Sequence, residues 1–122
     1  MNYTIRNIAW ALFFSLLLNG CVIHEPTPDQ CIVKNSTIIK ISEGTSFDIV
    51  FTDTNNDSYY INRGLERGLS IDDLRSKVLD KNVTLHLPAF GGIASEHIAQ
   101  LEFNDTIIYT EFSMTKLVSV KN

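Results

Sequence analysis

Apolar and polar positions change character several times along the chain. Ile8–Leu18 (IAWALFFSLLL) is apolar throughout except for Ser15. Trp10, Phe13 and Phe14 fall on different faces of any helix drawn through it, so it has no polar face and does not read as a surface-packed core helix. Val22–Gln30 (VIHEPTPDQ) is mostly polar, carries two of the three prolines and reads as an extended tether. Beyond it the dominant period is two. Ile32–Ser42 is rich in β-branched residues and predicts a long first strand. Phe47, Ile49 and Phe51 alternate with Asp48, Val50 and Thr52, which predicts a second strand with the Phe/Ile face inward. Asp53–Ser58 (DTNNDS) is a polar turn, and Ser58–Asn62 a short third strand. Connections this short predict an antiparallel meander.

One helix interrupts the strands. Arg63-Gly64-Leu65 recurs as Arg67-Gly68-Leu69, and glycines at that spacing favour a turn. Ser70 then offers an N-cap, with Asp73 three residues on as in a capping box with Asp in place of Glu. Ile71, Leu74, Val78 and Leu79 form an apolar stripe, and the helix is expected to end near Lys81-Asn82. Val83, Leu85 and Leu87 alternate with Thr84 and His86 as a fourth strand. Pro88–Ser95 (PAFGGIAS) reads as a loop, and residues 98–112 as a hairpin turning at Asn104-Asp105. Leu117, Val118 and Val120 allow a short edge strand in the tail. The order, strand-strand-strand-helix-strand-strand, is that of an OB-like barrel of five to six antiparallel strands. The alternative is an open antiparallel sheet with the helix on one face, an α+β arrangement. Both are mainly β with one helix.

Composition narrows the function classes. The 122 residues suit one domain, and 10 Lys+Arg against 14 Asp+Glu give a net charge of −4. An acidic chain without clustered cations is a poor nucleic-acid binder. Two cysteines do not make a disulfide scaffold.

The start of the chain carries an address. Arg6 precedes the apolar run, whose eleven positions match the core of a secretory signal and fall short of the ~20 residues a membrane-spanning helix needs. The run ends in Leu18-Asn19-Gly20-Cys21, which resembles the lipobox of bacterial lipoproteins: an aliphatic residue, a small residue and an obligatory cysteine. The resemblance implies that the Cys21 thiol receives a diacylglyceryl group, that the peptide is cut before Cys21, and that the new amino group is acylated. Val22, standing where Asp marks inner-membrane retention, implies the outer membrane, facing the periplasm, more than the inner membrane. The alternative is an ordinary signal peptide cut nearby. On this reading residues 1–20 are signal, 21–30 lipidated cysteine and tether, and 31–122 a single β-rich domain. Loss of residues 1–20 removes Arg6 and no acid, leaving 9 cations against 14 acids, a net charge of −5. Cys31 is then the one remaining thiol in an oxidising envelope, either buried at the start of the first strand or paired between chains.

Candidate chemistry is sparse. Asp53–Ser58 resembles the start of a calcium loop, but Ser58 and Gly64 stand where the loop requires Gly and a bidentate Glu. His24, His86 and His97 have no zinc spacing, so no metal and no cofactor is expected. Glu43, Glu66, Glu96, Glu102 and Glu111 are available carboxylates that nothing in the sequence pairs. The expectation is an interaction module held to the membrane through Cys21 and binding an envelope protein, as an assembly factor, an inhibitor or an immunity-type protein. It is not expected to be an enzyme; the alternative is a small envelope hydrolase using a carboxylate pair. The residues expected at the partner surface are Phe90 with Gly91 and Gly92, on a loop the glycines leave adaptable, and Tyr59 or Tyr60 nearby.

Overall fold

The structure, a computed structural model, describes residues 26–113. Seven strands and one α-helix follow one another as β1 (Cys31–Glu43), β2 (Ile49–Asp53), β3 (Ser58–Ile61), α1 (Ile71–Val78), β4 (Asn82–Phe90), β5 (Ile93–Ala94), β6 (Gln100–Phe103) and β7 (Thr106–Thr110). The domain is mainly β, and its strands form one antiparallel sheet in the order β3-β2-β1-β4-β6-β7, with β5 beside β4.

β1 organises the sheet by changing partner along its length. Cys31–Thr37 pairs with Pro88–Asn82 of β4, and Ile38–Glu43 pairs with Asp53–Ile49 of β2. A register shift between Ile38 and Lys40 bends the strand where the partners change, and leaves Ile39 about half exposed. The sheet is not closed into a barrel. Of the two arrangements the element order allows, it is the open sheet with one helix. β3 is only four residues long and meets the approach to β6 in a single parallel bridge, Tyr60 to His97. In it the Tyr60 N–H donates to Glu96 O (3.0 Å) and the Ile98 N–H to Tyr60 O (2.8 Å). That bridge joins β3 to the approach to β6 without continuing the ladder around.

The core lies between the curled sheet and α1. Ile38, Ile41, Phe51, Ile61, Leu74, Val78, Leu85, Ile98 and Leu101 are all at most 1% exposed. The expected helical stripe is used: Leu74 and Val78 are buried, and Ile71 and Leu79 pack half-buried against them. Ser70 caps the helix by accepting from the Asp73 N–H at 3.3 Å, while the Asp73 carboxylate turns to Lys77 at 2.9 Å instead of closing the box. The Arg75 guanidinium donates from Nη2 to Ile41 O (2.9 Å), tying α1 to β1. The helix stops at Val78, short of Lys81. Asp80 turns left-handed (φ 62°), its N–H donates to Ile38 O, and the Ile38 N–H donates to Lys81 O, so pairing with the bend of β1 replaces the last helical turn.

Two other expectations are corrected. Phe47 does not join the inward face of β2. Ser46 and Phe47 are both left-handed (φ 53° and 66°), the chain makes a 3-10 turn at Thr45–Phe47, and the Phe47 side chain is 52% exposed. Pro88–Ser95 is a tight hairpin, β4 turning at Gly91-Gly92 into β5, and the adaptable loop is absent. The described chain also begins its folded structure before residue 31. Thr27–Gln30 is a 3-10 turn closed by its own hydrogen bonds, so the last residues of the expected tether are ordered. The expected tail strand at Leu117, Val118 and Val120 lies outside the described residues, as do Cys21 and His24.

Candidate functional site

The most exposed apolar residues of the described domain stand together at the tip of the β4–β5 hairpin. Phe90 and Ile93 face each other across the two-residue turn and are 80% and 76% exposed. Gly91 and Gly92 have φ of 59° and 80°, the paired left-handed conformation of the tightest hairpin turns, which side chains resist. The turn fixes the two side chains beside one another. No residue from Pro88 to Ser95 is charged. Of the sequence candidates, Phe90, Gly91 and Gly92 form this tip.

Tyr59 and Tyr60 point to opposite faces and only one approaches the hairpin. The Tyr59 ring is core, 6% exposed, with its hydroxyl reaching a shallow cleft of about 210 Å³. Lys34, Asp57, Ser58, Leu87, Ala94, Ser95 and Glu96 complete the lining, so the base of the hairpin forms one wall. Tyr60 is half-buried on the other face, edge-on to His97 with ring centres 5.5 Å apart.

In the cleft the Lys34 ammonium donates to the Tyr59 hydroxyl and lies 3.8 Å from the Asp57 carboxylate. The hydrogen bond to Tyr59 raises its pKa; desolvation opposes, and Asp57 and Asp53 add to the rise. Lys34 is therefore held as a cation and is not available as a base. Ser95 Oγ is buried without a hydrogen-bond partner. Asp53, the first residue of the calcium-like stretch, is 1% exposed, and its Oδ1 accepts from the N–H groups of Asn55 and Asp57 at 2.9 Å each. Its carboxylate organises the β2–β3 turn.

Two histidine–glutamate pairs escape sequence reasoning altogether. His97 Nε2 lies 2.9 Å from Glu111 Oε1, and the Tyr109 hydroxyl donates to Glu111 Oε2 at 2.6 Å. Burial, followed by that hydrogen bond and the Glu111 charge, raises the Tyr109 pKa above its ordinary value. His86 Nε2 lies 3.6 Å from Glu102, and its ring stands edge-on to Phe112. Tyr109 and Glu111 share a strand face at i,i+2, a signal present in the sequence. The 14-residue step from His97 to Glu111 leaves none. A carboxylate that orients an imidazole is one part of a nucleophilic site. Among the described residues neither imidazole hydrogen-bonds a Ser, Thr or Cys, and no group of three or more His, Cys, Asp or Glu is placed to hold a metal ion. His97 also makes the Tyr60 bridge, so the Tyr109–Glu111–His97 chain braces the bridge between β3 and the approach to β6.

Cys31 is free and half-buried, its Sγ 3.5 Å from Thr27 O. Burial first, then the charges of Asp29 and Glu111, push its thiol pKa up, away from reactivity. No family model matches the chain, and neither curated proteins nor solved structures show a match to it.

Proposed function

We propose that the protein is a small interaction module of a bacterial envelope, lipid-anchored at Cys21, with the β4–β5 hairpin tip as its contact surface. The observation that carries the contact surface is the side-by-side exposure of Phe90 and Ile93 at 80% and 76%. A rigid two-residue turn presents them, so little ordering entropy opposes their burial in a partner. The lipobox-like Leu18-Asn19-Gly20-Cys21 supports the anchor and the outer-membrane address. Two acyl chains suffice for stable attachment where one does not. Among the described residues no helix is long and apolar enough to cross a membrane.

The anchor is tested by palmitate labelling of the wild type and Cys21→Ser in a bacterial host; equal labelling of the two sinks it. The contact surface is tested by a photo-crosslinking residue at position 90 in cells. An adduct to an envelope component, protein or lipid, is expected, absent when the crosslinker stands at Lys77 on the solvated face of α1.

A second reading has one observation behind it. Asp57 and Glu96, two carboxylates, line the same cleft, as a small envelope hydrolase would require. Both residues are exposed, and Asp57 faces Lys34, whereas a general acid is kept protonated by burial. Turnover of a murein or glycan substrate that is lost in both Asp57→Asn and Glu96→Gln would favour it over the interaction module.

A further inference from the structure

We infer that the surface met by the hairpin tip is the lipid bilayer that carries the anchor, with Phe90 and Ile93 entering its interfacial layer as a second point of attachment. This deepens the proposed reading and rests on its anchor at Cys21. Three observations converge on it.

The first is position. Cys31, where β1 begins, is paired with Pro88, and β4 runs two residues further to Phe90. At ~3.3 Å per residue the tip therefore stands about 7 Å beyond the start of β1, at the end of the domain from which the chain leaves toward Cys21.

The second is length. The Pro28–Gln30 turn is ordered, with Thr27 closing it. Cys21 lies five residues before Pro26 in the sequence, and five residues span at most about 18 Å in any conformation. An anchor that short holds this end of the domain at the bilayer, and the tip projects from the same end. The opposite end, where β6 turns into β7 at Asn104-Asp105, is a sheet length away, since β6 pairs with Thr84–His86 of β4.

The third is chemistry. An aromatic and an aliphatic side chain on an uncharged hairpin suit the boundary between headgroups and acyl chains. Asp57 and Glu96 line the cleft at the base of the hairpin, Asp29 stands in the turn before β1, and the processed chain carries net negative charge. Contact should therefore favour zwitterionic lipid and weaken as anionic lipid is added.

The test uses the full-length chain, processed and lipidated in a bacterial host and reconstituted into vesicles of phosphatidylethanolamine with a minor fraction of phosphatidylglycerol. Trp10 is the only tryptophan and lies in the signal, so a tryptophan substituted elsewhere is the sole emitter of the processed chain. Phe90→Trp is compared with Ile107→Trp, which replaces a residue 49% exposed at the far end. Supporting results are a blue-shifted Phe90→Trp emission quenched by lipids spin-labelled near the headgroup, no quenching of Ile107→Trp, and loss of the shift as phosphatidylglycerol is raised. Unquenched emission at both positions, on a chain that carries its lipid and floats with the vesicles, overturns the inference and leaves the anchor standing. Quenching at both positions overturns the tip as the specific contact. A photo-crosslinker at Ile93 that captures protein in place of lipid in cells overturns it in favour of a protein partner. A chain whose mass shows no acyl groups on Cys21 removes the anchoring reading, and the inference falls with it.

Discussion

Two hairpins of the same sheet turn in the same way and serve opposite ends. Gly91-Gly92 joins β4 to β5 with φ of 59° and 80°, and Asn104-Asp105 joins β6 to β7 with φ of 51° and 63°. Around the second turn most apolar residues go to work in the fold: Leu101 is fully buried, Tyr109 is 8% exposed, and Phe103 and Ile108 pack against the core, with Ile107 alone of them 49% exposed. Around the first turn Phe90 and Ile93 touch little of the domain and stand in solvent. Backbone geometry is common to both, so it does not explain the exposed pair. A hairpin whose apolar tip contributes nothing to the core has that surface free for a contact outside the domain.

The largest difference between the hairpins is expected in stability. Leu101→Ala empties a fully buried site and should cost about 2–5 kcal/mol by urea unfolding. Phe90→Ala should change stability by less than about 0.5 kcal/mol. A loss at Phe90 comparable to that at Leu101 would place the tip in the core and end the comparison.

Next in size is the polar bracing of β7. Tyr109→Phe removes the hydrogen bond to the Glu111 carboxylate and should cost about 1.5 kcal/mol at neutral pH. The pH dependence has a definite sign. The Tyr109 pKa is raised in the fold, so its stabilisation is complete below the ordinary phenol value of about 10 and is lost as pH rises from there toward the folded value. Wild-type stability should fall with pH above about 10, and the variant should fall less steeply. Lys34 and Cys31 are also raised and contribute to the alkaline slope that remains. An unchanged slope in Tyr109→Phe would show that this hydroxyl is not held as described.

The turns themselves should respond in opposite directions and by smaller amounts. Gly92→Ala forces a side chain into a left-handed position and should destabilise by about 1 kcal/mol, even though the space around it is open. Asp105→Gly relieves the same strain in the other turn and creates the favoured Asn-Gly pair, so thermal unfolding should shift upward by an amount worth up to about 1 kcal/mol. Equal and like-signed responses would mean that the two turns do not share a backbone conformation.

What could be read from the residues themselves was local. The strand alternation, the DTNNDS turn, the Ser70 cap and the Leu74–Val78 stripe each rest on preferences that act within a few positions, and each appears in the structure. The hairpin residues Phe90, Gly91 and Gly92 stood out for their composition, but the two glycines are equally compatible with an adaptable loop and a tight turn. Pairing of Ala89 with Ala94 chose the turn. The bend of β1 between two partners, the early end of α1 on Ile38, and the outward Phe47 depend on where other strands lie, which alternation along one segment does not encode. The same holds for chemistry. His97 meets Glu111, and Lys34 meets Tyr59, across 14 and 25 residues of chain, so only the assembled sheet brings them together. The short segment before Cys31 likewise lies at the same end of the domain as Phe90 solely because β1 and β4 run antiparallel in that register.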